Sequence, residues 1–373
     1  MSAQAQSKMP VRAQNAKTHG AESGTHDAAA PTLAAARPAL GSDLTWAEQV
    51  GECWNRFWFT ATDPVTLGWV RVLTGLLALY LQLTLAFDLG RFFGTEGYLP
   101  LRTSIDWYEW FIDTGGEPML KYSYLSYLRT PGQLAAAHWI GMGILALFTA
   151  GIFTRVTSVL SLIIMLSYFH RAPMITSQVE PIIAMLLFYL CLGPAGAAVS
   201  VDTWLKERKL RADLKLKPEE ALPVQPRWGA TVVLRLIQIH VCAFYVMSFL
   251  AKVSGGGLGN VWLRGEAMWW VITEPDMPLV DFTWIARAPL LIDVWTFSVL
   301  LFEALFPLLV WNRLLRPIVL AVSVPMWILM ALATGLTTYA AAMLIGSLAF
   351  VDPACLRSCW QCCRAKFAKA DAQ

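Results

Sequence analysis

Gly229-Ala-Thr-Val-Val-Leu-Arg-Leu-Ile-Gln-Ile-His-Val-Cys-Ala-Phe-Tyr-Val-Met-Ser-Phe-Leu-Ala251 is a nearly unbroken apolar run, closed by Lys252. Wound as a helix at 1.5 Å per residue it is roughly 34 Å long, enough to cross a hydrocarbon core of about 30 Å. Lipid offers no partners to N–H and C=O groups, so a run of this kind has to be helical. Similar runs occupy 64–87, 133–152, 156–175, 181–201, 288–311, 316–333 and 337–351. The expected fold is therefore an all-α, polytopic helical membrane bundle of about eight transmembrane helices, within a range of seven to nine. Interfacial helices are expected at 44–62, 105–112 and 267–272.

The composition agrees. Of 373 residues, 56% are hydrophobic, only 15% are charged, and 17 are Trp; mean hydropathy is +0.50. Soluble domains run nearer 25% charged, and Trp gathers at membrane–water interfaces. A net charge of +3 with no basic–aromatic groove pattern points away from nucleic acid. The seven cysteines do not form a secreted disulfide framework. Cys191 and Cys242 fall inside apolar runs. Cys355, Cys359, Cys362 and Cys363 crowd the end without a second CxxC pair or histidines, so no metal is expected.

Residues 1–42 read as a disordered tail, 43–353 as the membrane domain and 354–373 as a basic, Cys-rich cytoplasmic tail. The loop 202–227 carries Lys206, Arg208, Lys209, Arg211, Lys215, Lys217 and Arg227. The positive-inside rule makes it cytoplasmic. With eight spans both termini then lie inside, and loops 88–132 and 252–287 face outward. The expected location is the plasma (inner) membrane. Phosphate loops, GxSxG and HExxH are missing.

Ionisable residues within spans sort by depth. Arg71, Arg235 and Glu303 lie roughly 9–12 Å from the inner ends of their spans, so Glu303 is expected to pair with Arg71 or Arg235 and lock the bundle. His138, His170, Arg171, Glu180, Lys252 and Asp293 lie in the outer half. If their spans surround one cavity, these groups converge on it, with Trp262 beside Lys252. Desolvation disfavours a charged amine, and a lysine so placed becomes a base near neutral pH. Each group also has a plainer reading. Arg171 and Lys252 snorkel, Glu180 and Asp293 favour helix N-termini, and His138 and His240 pack as hydrogen-bonded core residues.

The order of several short motifs resembles the HTTM family, the membrane domain shared with vitamin K-dependent γ-glutamyl carboxylases, over roughly residues 60–353. These are Arg71, Gly151-Ile-Phe-Thr154-Arg155, Ser167 with Arg171, and Gly193-Pro-Ala-Gly196 before Ser200-Val-Asp202. They continue with Phe249-Leu-Ala-Lys252 before Trp262-Leu-Arg-Gly265-Glu-Ala267, and Phe302-Glu303 before Phe306-Pro307. The resemblance implies that Lys252 is the catalytic base that deprotonates a reduced quinone of the vitamin K or menaquinol type. The anion reacts with oxygen to give a stronger base, which removes a glutamate γ-proton. The carbanion takes up carbon dioxide, and the quinone leaves as an epoxide.

This chain differs from the family in its glycines at 255–257, in Trp327 where a histidine is common, and in ending soon after the last span. The carboxylases' lumenal region for protein substrates is therefore not expected. The implied function is a carboxylase- or epoxidase-like membrane enzyme with Lys252 as base. His138, His170, Arg171, Glu180, Trp262 and Asp293 would place its substrate. Its expected partners are membrane lipids, a lipid quinone and a peptide or protein on the outer side. The alternative is a non-catalytic membrane protein holding a lipid or partner in the same cavity.

Overall fold

A computed structural model describes residues 45–94, 96–116, 122–214, 225–254, 259–273 and 279–358. The N-terminal tail, residues 255–258 with their three glycines, and Cys359, Cys362 and Cys363 lie outside the described residues. Within them the chain is all-α, apart from one isolated β-bridge between Thr62 and Arg227. Residues 1–49 and 50–373 form separate units. Of the first, only the start of α1 (Trp46–Phe59) is described, where Thr45 N and Oγ1 both donate to Glu48 Oε2.

The second unit continues with α2 (Val65–Ala86), α3 (Leu89–Phe93), α4 (Leu101–Asp113), α5 (Pro131–Ala150), α6 (Thr154–Arg171) and α7 (Val179–Leu192). Then follow α8 (Val201–Leu214), α9 (Trp228–Val253), α10 (Gly259–Leu263), α11 (Ala267–Thr273), α12 (Pro289–Leu309), α13 (Arg316–Thr334) and α14 (Thr337–Ser347). Local chemistry sets several of these limits. Thr130 and Gln133 form a reciprocal capping box ahead of Pro131 at the start of α5, and Gly151, left-handed at φ +78°, stops it.

Polarity is sorted in the sense expected for lipid rather than water. Arg71, Thr74, Gln82, Ser161, Thr296 and Glu303 are buried, while Leu83, Ile140, Met247, Leu301 and Leu308 are exposed. A surface apolar on this scale needs an apolar solvent. Five described helices, α2, α5, α9, α12 and α13, are long and apolar enough to cross a membrane. The architecture is that of a multi-pass helical membrane protein. The expectation of seven to nine spans is not reached on length. The apolar run 181–201 yields only the short α7, because Gly193-Pro194 ends it. The run 337–351 divides into α14 and a 3₁₀ turn, Leu348–Phe350. α6 is diluted by Thr154, Arg155, Thr157, Ser158, Ser161 and Ser167.

Contacts between helix ends define two ends of the bundle. At one, Arg227 N donates to Thr62 O, Asp202 N to Gly151 O, and Arg357 forms a two-point ion pair with Asp63. At the other, α4 caps α6. The last carbonyls of a helix have no partner within it; Ser104 and Tyr108, four residues apart on the buried face of α4, donate to Arg171 O and His170 O (2.7 and 2.9 Å). α11 lies against α12 and α13 with the 3₁₀ turn Thr283–Arg287. Together they enclose a small second core around Met268, Ile272, Ile285 and Ile292.

Candidate functional site

Lys252 is the penultimate residue of α9, and Ser248 lies four residues before it on the same face. Its ammonium donates to Glu303 Oε1 at 2.6 Å and to Ser248 Oγ at 2.7 Å, and Ser248 Oγ donates to the same Oε1 at 3.0 Å. The Trp262 ring centroid is 4.9 Å from Lys252 Nζ, a cation–π contact that covers the ammonium from the α10 side. The pair is largely withdrawn from solvent, with the Lys252 side chain 19% and the Glu303 side chain 8% exposed. The second carboxylate oxygen, Oε2, is buried and has no hydrogen-bond partner among the described residues.

An aromatic wall adjoins this carboxylate. Trp327 Nε1 donates to Tyr245 Oη at 2.8 Å. Tyr339 stands edge-on to Trp327 at 5.4 Å between centroids. Tyr245 in turn lies 4.2 Å from Phe306 and 5.6 Å from Phe302. The arrangement offers a lysine ammonium, a carboxylate with one acceptor in hand, and flat apolar faces. It suits an aromatic head group with polar substituents.

Glu303 does not pair with Arg71 or Arg235, and this corrects the expected intramembrane ion pair. Arg71 donates to Val199 O at 2.6 Å and to Ala195 O at 3.4 Å, with the Asp202 carboxylate as its nearby opposite charge. Arg235 donates to Phe57 O and Gln238 Oε1 (3.3 and 2.8 Å), with its guanidinium 4.4 Å from the Phe57 ring centroid. Depth counting set Lys252 and Glu303 in different layers because it placed Cα atoms and ignored side-chain direction. Cα–Cβ bonds lean toward the N-terminus of their own helix. On antiparallel α9 and α12 the lysine therefore leans inward and the glutamate outward. The Tyr245–Phe306 and Arg235–Trp311 contacts set the register. In that register the offset between the two Cα atoms is roughly 6 to 13 Å along the axes, which two long side chains bridge.

Of the outer group, only Trp262 touches Lys252, and Asp293 lies near that turn. A Cβ on Gly265 would come within 2.7 Å of Asp293 Oδ1, so the carboxylate rests against the Gly265 backbone. The others are engaged elsewhere. His138 Nδ1 is 2.8 Å from Tyr168 Oη, and His170 Nδ1 donates to Tyr122 O at 2.9 Å. Arg171 donates to Leu99 O at 2.8 Å and to Ser104 Oγ. Glu180 Oε2 accepts from Ser177 N and Oγ (2.6 and 2.8 Å) at the start of α7. His240 Nδ1 meets Tyr189 Oη at 3.0 Å. These contacts join loops and helix ends, and none reaches Lys252 or Glu303. The expected convergence of His138, His170, Arg171 and Glu180 on the lysine is replaced by local anchoring.

Ser248, Tyr245 and Tyr339 were not among the sequence candidates. Only Ser248 carries a legible signal, its spacing of four from Lys252. A groove of about 760 Å³ beside α3 and the start of α5 is lined by Arg91, Glu96, Tyr98 and Trp139 and lies away from Lys252. It lacks the convergent polar groups that mark a binding site, which the Lys252 locus supplies. No candidate metal cluster of His, Cys, Asp and Glu occurs among the described residues. Comparison with known proteins returns no matching family model, no matching curated protein and no matching solved structure.

Proposed function

We propose that this chain is an HTTM-type, vitamin K-dependent carboxylase-like membrane protein that binds a lipid quinol at the Lys252–Glu303 pair. The observation that carries the reading is the Lys252 Nζ to Glu303 Oε1 contact of 2.6 Å, set between Trp262 and the Tyr245–Trp327–Tyr339 wall. A lipid quinol enters from hydrocarbon and presents its hydroxyls to a polar end, and this locus has both characters. In the reaction implied by the resemblance, Lys252 acts as the neutral amine: it takes the quinol proton, and the ammonium so formed is the species that Glu303 and Ser248 hold in the observed ion pair. A second reading has the same locus anchor a lipid without chemistry. It draws on the fact that the lysine is already ion-paired.

The test is mass spectrometry of lipid extracts from the purified protein, alongside a Lys252→Ala variant. A quinone co-purifying with the wild type and depleted at least about tenfold in the variant is the expected result. Equal quinone content and equal turnover in both would remove Lys252 from the site.

The topology of this reading has eight spans, with α6, α7 and α14 completing the five long helices, and both termini on the cytoplasmic side of the plasma membrane. It is supported by alternating helix directions and by the basic residues Lys206, Arg208, Lys209 and Arg211 on α8, which follows α7 at the Gly151–Asp202 end. A single cysteine at position 206 in a cysteine-free background should react with an impermeant maleimide only after the cells are opened. Labelling of intact cells would invert the topology.

A further inference from the structure

We infer that Glu303, through Oε2, is the recognition residue of the site. It accepts a hydrogen bond from a hydroxyl carried on an apolar, aromatic-bodied ligand, and Tyr339 supplies the complementary donor. The inference rests on the lipid-quinol reading of the same site and adds the groups that read the ligand.

A buried acceptor with no donor is costly, and a charged one more so. Glu303 is 6% exposed; Oε1 is doubly occupied by Lys252 and Ser248, whereas Oε2 has no partner among the described residues. The Tyr245 hydroxyl, which accepts from Trp327, makes no hydrogen bond to Oε2. The Tyr339 hydroxyl has no hydrogen-bond partner among the described residues, and its ring stands edge-on to Trp327, the residue that donates to Tyr245. One strong acceptor and one donor therefore border the same aromatic wall unfilled. A ligand hydroxyl fits both, because it donates through its proton and accepts through its lone pairs. A carbonyl in the same position would set its lone pairs against the carboxylate and reverse the preference. The site is thus built to prefer a phenolic hydroxyl to a ketone on an otherwise identical ring.

A short-chain naphthohydroquinone and its quinone share shape and differ in these donors, so they serve as the probe pair. Their binding to the full chain in nanodiscs is measured by anaerobic equilibrium dialysis, with empty nanodiscs as the blank. The wild type should hold the hydroquinone about tenfold or more tighter than the quinone, in line with one hydrogen bond to a charged group. Glu303→Gln replaces an acceptor by an amide that also donates to a carbonyl, and should bring the ratio within about threefold of unity. Tyr339→Phe should weaken hydroquinone binding by about three- to tenfold and leave Glu303 in place.

A Glu303 that only supports the fold would weaken both probes in parallel and leave the ratio unchanged. That result, or equal binding of the two probes by the wild type, overturns the hydroxyl assignment while the quinone site stands. Binding of neither probe to the wild type overturns the quinol reading itself. If Glu303→Gln does not accumulate, Tyr339→Phe decides, and unchanged hydroquinone affinity there overturns the inference.

Discussion

Lys252→Met is expected to lower the stability of the protein by about 3 kcal/mol, more than loss of the contact alone, because it strands the Glu303 carboxylate in an apolar surround. Oε1 then keeps only Ser248, and Oε2 already lacks a partner among the described residues. The double variant Lys252→Met/Glu303→Leu removes both charges and should recover at least half of that loss, since buried ion pairs replaced by apolar residues of similar volume are often neutral. The coupling is read from SDS-titration unfolding in mixed micelles, as a double-mutant cycle. Additive effects of the two single variants would mean that the pair does not act as a unit. The partial exposure of Lys252, at 19%, keeps the expected figure at the lower end of the range for buried pairs.

Arg71→Met should be more damaging still, at about 4 kcal/mol in the same titration. Arg71 is 0% exposed, and its fork grips Val199 O and Ala195 O, two carbonyls of the turn that carries the chain from α7 to α8. Gly151 makes the grip possible. A Cβ at that position would lie 2.2 Å from Arg71 Nη1 and 2.4 Å from Ser200 Cβ. Arg71→Lys keeps the charge but not the fork, and should recover less than half of the loss. If the lysine variant matched the wild type, charge rather than the two-point clamp would be holding the turn.

How much of this was legible beforehand depends on the physical range of each feature. The long apolar runs gave the all-α membrane architecture directly, since length and hydropathy are local properties. They overstated the shorter helices, because Gly193-Pro194 and the Leu348–Phe350 turn end helices inside apolar composition. Lys252 and Trp262 stood out as a pair through chemistry and proximity along the chain. Their partner Glu303 was assigned to the wrong layer, because the decisive variable is the lean of two side chains on antiparallel helices. Arg171 was read as a site residue through depth together with the Ser167–Arg171 motif, and His170 through depth. Their actual partners, Leu99 O and Tyr122 O, are backbone atoms of irregular segments. No periodicity announces a carbonyl that happens to point inward.

The Arg71 clamp also bears on how the protein comes into being. Its acceptors lie 124 and 128 residues further along the chain. At a synthesis rate of roughly 5–20 residues per second, α2 exists for about 6–25 s before either carbonyl has been made. Over that interval the nascent helix carries a guanidinium whose transfer to the bilayer centre costs about 2.5–3.5 kcal/mol on insertion scales. The first apolar helix therefore carries this charge without its clamp until the turn after α7 arrives, so its final stability depends on the middle of the chain.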